Sequence, residues 1–487
     1  MVPRKGSGSE TRHAALGGDF GKEMRGNRAV ILPQQYMASG KVSRMRGNSR
    51  HSKKPVVNIP VVNKGEKSGT KLLHPPSVQT LRKRLAHVQR CLKVGVKLLV
   101  VVKNVYDAVA WAKALDRADS SGIIHGYGFE CANDAMHYRQ QAVSSKKEVL
   151  VLYTVAPHIV GKLAATRIDV SVPGVVWLKQ AQKHLKKRSR LGIHLWVDTG
   201  MGRDGPLPSE MTKVAAYAKN MAQSGLVQVK GIMSHLCCTM YTSSTSRGGD
   251  SSLKGLTDLI GSQGVKKFTH LELTNKQIAR FEKVISELRQ QKLLPVTAIR
   301  HIGSSGAVSK GMTGAMFDMV RVGRMLVDGD SDGAPLFKVK QIVREASAAR
   351  QENPAQCSAR VATVKTLPAK WCVGYGCEKL PHLQALGRLK TPKRVALIQV
   401  NADCPKLDQQ LIVYFVLQEE CPEGGKNPNY GLGGAVVKLH GHTLKILANH
   451  GSCGVVIEAP DKADVEEGTM VKLSVTEDFL RKKLLQK

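Results

Sequence analysis

From residue 77 onward the chain alternates between two hydrophobic patterns. Val78, Leu81, Leu85, Val88 and Leu92 recur at helical spacing, so a helix is predicted over Ser77–Leu92. VGVKLLVVVKN follows, a continuous β-branched run that reads as a strand buried on both faces, with Lys103 at its end. Seven more strand-like runs appear in SGIIHGYGF, KEVLVLYTV, RIDVSVP, GIHLWVDTG, GLVQVKGIMSH, TAIRHIGSS and MFDMVRVG. Helical segments lie between them, among them Asn133–Gln141, Trp177–His184, Pro208–Ser224 and Asn275–Gln291. Strands alternating with helices over about 250 residues predict a parallel (β/α)8 barrel of the TIM type, not an open sheet. The polar residues of interest sit at strand C-termini, where such barrels build their sites.

After about residue 335 the pattern changes. QCSARVATVKTLP, RVALIQVN, LIVYFVLQ, AVVKLHGHTLKIL, GVVIEAP and TMVKLSV read as strands separated by turns, so a second, mainly β domain is predicted. The first 71 residues carry Gly, Ser, Lys and Arg with no sustained period. They cannot bury enough apolar surface to offset their ordering entropy, and a disordered basic arm is expected there. The expected organisation is therefore an arm over 1–71, a barrel over 72–335 and a β domain over 336–487.

Charge changes this picture. The formal net charge is +36, a field that favours RNA, a ribonucleoprotein or another anionic surface as a partner. A basic tail with ordinary lysine bias explains the same number. The ten cysteines are scattered with no CxxC pair, which argues against a zinc ribbon or a disulfide scaffold and points to a reducing compartment. No apolar run approaches the length of a membrane span, so no membrane partner is expected. A cytoplasmic location is the default. The Arg- and Ser-rich N-terminus allows a mitochondrial one, although Glu10, Asp19 and Glu23 count against a transit peptide.

The most specific segment is HLWVDTGMGRDG, His194–Gly205. In chain order it is accompanied by the VVK lysine, Lys103; GIMSHL with His235; RHIGSSGAVS with Ser304 and Ser305; FDMVRVG with Arg321 and Gly323; and CVGYGCE with Tyr375. Together these resemble the alanine racemase family, a group of barrel enzymes that use pyridoxal 5'-phosphate (PLP). The resemblance runs from about residue 72 to about 475, strong in the barrel and weaker beyond it.

That resemblance implies an amino-acid racemase, an isomerase acting on alanine or a similar small amino acid. Lys103 would bond the aldehyde of PLP and serve as one catalytic base. Tyr375 would be the second base, on the opposite face of the substrate, supplied by the partner subunit of a homodimer. Arg321 would face the pyridine nitrogen. Arg203 would stand near the phenolic oxygen and His235 against the ring. Ser304, Ser305, Gly323 and Tyr106 would hold the phosphate.

The chain also departs from the family. Tyr106 stands one position early. Trp196 occupies the place of a lysine that many members carbamylate, and a tryptophan cannot supply that charge. Asn401 replaces a tyrosine, and His450-Gly451-Ser452-Cys453 replaces a Cys-Met-Asp motif. Cofactor-facing positions are kept better than substrate-facing ones. That pattern suits an altered substrate, or a retired racemase that binds RNA through its basic surface. His440, His442, His450 and Cys453 invite a metal reading, but their spacing does not reproduce the His/Cys zinc pair of PLP-barrel relatives that act on D-amino acids, and no metal is expected.

Overall fold

The computed structural model describes residues 75–239 (apart from 104 and 106), 270–327, 356–375, 377, 387–400, 435–439, 442–444, 446–449 and 454–475. The expected basic arm, the strand-like run at 411–418, Tyr106, Asn401 and the 450–453 segment lie outside the described residues.

Helix α1, Val78–Cys91, opens the described chain. Ser77 caps it by accepting a bond from the Thr80 N–H, and Leu81, Leu85 and Val88 form its buried stripe. Strand β1, Lys97–Val102, follows. The chain then alternates through α2 (Ala108–Ala118), β2 (Ile124–Phe129), α3 (Ala132–Gln141), β3 (Glu148–Val151), α4 (Val160–Ala165), β4 (Asp169–Val172), α5 (Val175–Gln182), β5 (Leu191–Trp196), α6 (Met211–Gln223) and β6 (Val227–Met233). It continues through α7 (His270–Gln290), β7 (Ile299–His301), α8 (Ser305–Ser309), β8 (Met319–Val322) and α9 (Arg324–Val327).

The eight strands are parallel and neighbour one another in the order β7-β6-β5-β4-β3-β2-β1-β8. Residues 303–304 and Arg321 bring the ends of this row together. Ser304 bridges Arg321, whose N–H donates to the Gly303 carbonyl at 3.0 Å. The Arg300–Asp318 pair braces the same junction below. The result is an eight-stranded, nearly closed barrel of the TIM type, as the apolar runs predicted.

The strand alternation separates two cores. Leu98, Val100 and Val102 pack outward against the helices, in one large cluster with Val320 and Val322. Leu99 and Val101 point into the barrel, with Leu150, Leu152, Trp196, Met233 and Met319. The lumen is thus filled by side chains and is not a pore. Lys103 continues the parity of Leu99 and Val101, and Arg321 that of Met319.

The remaining strands are antiparallel. They are β9 (Gln356–Leu367), β10 (Cys372–Val373), β11 (Gly387–Arg388), β12 (Lys393–Val400), β13 (Ala435–Leu439), β14 (His442–Leu444), β15 (Ile446–Asn449), β16 (Val455–Glu458) and β17 (Met470–Val475). Seven of them form one sheet in the order β14-β13-β17-β9-β12-β16-β15, and β10 and β11 pair separately. The sheet has its own core, including Leu367, Trp371, Val373, Val395, Leu397 and Val456. Its longest strand, β9, carries Lys365 to the barrel.

Candidate active site at the barrel mouth

The DTGMGR segment forms a tight turn at the C-terminal end of β5. Asp198 organises it: one carboxylate oxygen accepts the N–H groups of Gly200, Met201 and Gly202 at 3.0, 2.9 and 3.1 Å. Glycine is required at 202, where φ is +67° and a Cβ would stand 2.3 Å from the Cys372 carbonyl. The other Asp198 oxygen accepts from Lys365 Nζ at 2.6 Å, and that ammonium also reaches the Gly205 carbonyl at 2.8 Å. Burial alone pushes the Asp198 carboxyl up. The Lys365 charge and the three N–H donors outweigh it, so the group is held below the ordinary carboxylate range. A buried ion pair thereby fastens the sheet domain to the barrel mouth.

Arg321, on β8, is buried in the lumen at 5% exposure. Its guanidinium donates to His301 Nδ1 at 2.9 Å, to the His301 carbonyl at 2.8 Å, to the Ser234 carbonyl, and to His235 Nδ1 at 3.3 Å. Among the described residues no carboxylate pairs with it. Burial and the nearby Arg203 charge bring its pKa down to about 9, so it still carries its proton at neutral pH. An arginine has only donors, so His301 Nδ1 must accept and Nε2 must carry the ring proton. That proton points at His194 Nδ1, 2.9 Å away. Burial lowers the pKa of both rings, His194 to about 4, so the pair is neutral near pH 7.

Tyr375 lies beyond β10 and reaches the mouth from the sheet domain. Its hydroxyl oxygen is 3.2 Å from Arg203 Nη1 and 3.1 Å from His235 Nε2. Arg203 is itself buried, with its Nε on the Asp204 carboxylate at 2.5 Å and its guanidinium 5.7 Å from the centre of the Trp196 ring. Arg203, His235, Arg321 and Tyr375 therefore form one connected cluster. Within one copy of the chain, Tyr375 reaches this cluster from the sheet domain. Same-chain contacts hold it there: Gly374 N–H donates to the Met201 carbonyl at 2.9 Å, beside the Lys365–Asp198 pair.

Lys103 lies half-buried just past β1, on the lumen parity. Strand β1 runs beside β8 in the register Leu99↔Arg321 and Val100↔Val322. Gly323 packs so closely on β1 that a Cβ there would meet the Val101 carbonyl at 2.9 Å. Its N–H donates to Ser305 Oγ at 3.1 Å, with Ser304 next to it at the start of α8. Lys103, Ser304, Ser305, Arg321 and Gly323 thus share one quadrant of the mouth.

The donor set fits PLP. It offers an amine for the aldehyde, a buried guanidinium without a carboxylate for the ring nitrogen, and a glycine cradle with two hydroxyls for the phosphate. Four contributors escaped the sequence reading: Asp204, His194, His301 and Lys365. Lumen parity in predicted strands was the available signal for the histidines. Asp204 and Lys365 had none beyond their charge.

An eight-stranded parallel barrel whose mouth gathers a lysine at a strand end, buried arginines and a tyrosine from an appended antiparallel sheet is a two-domain TIM-type layout with its candidate site at the strand C-termini. The alanine racemase N-terminal domain family matches residues 77–330, more than half of the chain. The chain belongs to the alanine racemase family. The alanine racemase of Lactobacillus gasseri is 33% identical over 142 residues, which cover 27% of this chain and 36% of that protein. That of Streptococcus pyogenes is 32% identical over 172 residues, covering 33% of this chain and 44% of that protein. The matched stretches thus span less than half the length of these relatives. Among solved structures, alanine racemase from E. faecalis overlaps 82% of this chain and 86% of its own, at 20% identity and a TM-score of 0.39. The strand order, not that likeness, defines the fold described above.

Proposed function

We propose that this chain is a PLP-dependent racemase of a small amino acid, alanine or a close analogue. The observation that carries the reading is the Tyr375 hydroxyl, held between Arg203 and His235 at the mouth where β1 delivers Lys103. Racemisation needs a proton taken on one face and returned on the other. Lys103 and Tyr375 are the two groups proposed to do this. Bound PLP supplies the electron sink that makes the α-proton of an amino acid removable. Lys103 would hold the cofactor at its aldehyde carbon, Arg321 would face its ring nitrogen, and Ser304, Ser305 and Gly323 would take its phosphate. Arg203 and His235 fix the direction of the Tyr375 hydroxyl. Leu99, Val101 and Trp196 exclude water from below. Family membership also supports a homodimer, to be checked by sedimentation.

The test is spectroscopic and chiral. Purified protein given PLP is expected to show the visible band of covalently bound cofactor and to racemise L-alanine or a similar L-amino acid. Lys103→Ala is expected to lose both. A Lys103→Ala protein with an unchanged band ends this assignment. A second reading rests on the +36 charge: a racemase-derived chain that binds RNA. It predicts filter binding that weakens by orders of magnitude between about 50 and 200 mM salt.

A further inference from the structure

Four cysteines gather around the Tyr375 loop. Cys237 and Cys238 follow β6, with their sulfurs 3.2 Å apart. Cys372 and Cys377 bracket Tyr375 and are joined as a disulfide, with Cα atoms 5.0 Å apart. All four are buried in one cluster with Met201 and Leu273, and Tyr375 packs against it. The scatter of cysteines along the sequence hid this convergence, since the fold alone brings residues 237 and 372 together.

One of the two bonded cysteines, itself buried at 1% exposure, borders a cavity. Cys372 lines a cavity of about 410 Å³ whose other walls are Gly200, Leu273, Lys276, Arg280, Lys370 and Trp371. Among the described residues the wall includes three cations and no acidic side chain. Arg280 is fixed in place, stacked 4.5 Å from the centre of the Trp371 ring and donating to the Thr199 carbonyl at 2.9 Å. Lys276 is more exposed and pairs with Glu272, one turn earlier on α7. Cys377 does not line the cavity. Such a wall concentrates small anions and stabilises a thiolate over its thiol.

We propose that Cys372–Cys377 is a reversible thiol–disulfide exchange site, served through this cavity by a small anionic thiol. The incoming thiolate attacks Cys372 Sγ and forms a new S–S bond. The Cys372–Cys377 bond breaks, and Cys377 leaves as a thiolate that takes a proton from solvent. A second thiolate attacks the thiol-derived sulfur of the mixed disulfide, releases the low-molecular-weight disulfide, and leaves Cys372 to be protonated. The protein gains two electrons and two protons, and two thiol molecules are oxidised to one disulfide. Reduction opens the ring of residues 372–377 and releases the constraint on the backbone that carries Tyr375. The exchange chemistry stands without the racemase reading; only its consequence for turnover rests on it.

The experiment uses the full chain, natively folded and without PLP, so the outcome is independent of cofactor binding. After mild oxidation with diamide, non-reducing peptide mapping is expected to show residues 372 and 377 linked. Free thiols at both positions overturn the site. Reduction is then timed by mass with 2-mercaptoethanesulfonate, 2-mercaptoethanol and cysteamine, compared at equal thiolate concentration. The anionic thiol is expected to be fastest and the cationic one slowest, about tenfold apart, with the spread shrinking in high salt. Equal rates, or the reverse order, overturn the cavity route. In Cys377→Ser, the Cys372 thiolate is expected to attack the disulfide of 2-mercaptoethanesulfonate, forming the mixed disulfide and releasing one molecule of the free thiol; in Cys372→Ser, Cys377 is expected to react with the same disulfide at least tenfold more slowly. Amide exchange over residues 373–375 is expected to rise on reduction, and unchanged exchange overturns the claim that the bond clamps this loop.

Discussion

The buried charges of the barrel are held in two ways, and Arg321 at the mouth stands apart even from the Lys365–Asp198 and Arg203–Asp204 pairs beside it. At the N-terminal end, carboxylates meet cations. Lys230 pairs with Asp169 at 2.9 Å, and Lys147 with Asp119 at 2.7 Å. At the mouth, Arg321 is buried with carbonyls and imidazoles for partners and no carboxylate among the described residues. A charge matched by an opposite charge is satisfied and structural. One held by neutral acceptors keeps most of its field for whatever enters the mouth. The neutral His194–His301 pair lies between these regimes.

The comparison can be broken hardest at the mouth. Tyr375→Phe removes a hydroxyl from the cluster and no bulk. Its expected effect is a loss of racemisation of about 10²–10⁴-fold, the usual range for a general acid or base, with the PLP band retained. A variant with near-normal turnover would remove Tyr375 from the proton path and leave it a packing residue of the mouth.

Next in size is the link between the two domains. Lys365→Met leaves the Asp198 charge buried beside three N–H donors and no cation. Breaking such a pair costs about 3–5 kcal/mol, to be read by chemical denaturation. The sign with pH follows from the depressed folded-state carboxyl of Asp198. Its contribution is present above the unfolded carboxylate pKa, about 4, and is lost as pH falls through the lower folded value. The gap between wild type and Lys365→Met should therefore narrow on acidification. A gap independent of pH would mean that lost packing, not the ion pair, sets the cost.

The barrel was legible because its strands are buried on both faces. Runs such as KLLVVV need no partner to be recognised, and all eight occur where the pattern put them. The mouth was legible in its motif residues, since Asp198–Arg203 is a contiguous turn with its own local chemistry. Lys365 was not: a lysine in VATVKTLP reads as the solvent face of an edge strand, and only the tertiary fold turns it inward to Asp198. His301 was passed over for the neighbouring serines, although its place in an apolar run already implied burial. The Cys372–Cys377 bond was hidden because six residues of CVGYGC match no spacing rule that separates a loop closure from coincidence.

The finest test lies at the satisfied end. Asp169 accepts from Lys230, yet its carboxyl is raised to about 6: burial on β4 outweighs the attraction of a cation that is itself partly in solvent. The folded value lies above the unfolded one, so the native state holds this proton more tightly between about pH 4 and 6. Stability tied to this group therefore falls as pH rises through that window, and the full cost of ionising it is present above it. Asp169→Asn keeps the shape and removes the charge. It should stabilise the protein by about 1–2 kcal/mol at pH 7.5, after allowance for solvent screening of Lys230, and by nothing at pH 4. If the variant is instead less stable at pH 7.5, the Lys230 pair more than offsets burial. The N-terminal end would then be held by its charges and not merely reconciled to them, and the contrast with Arg321 at the mouth would be sharper still.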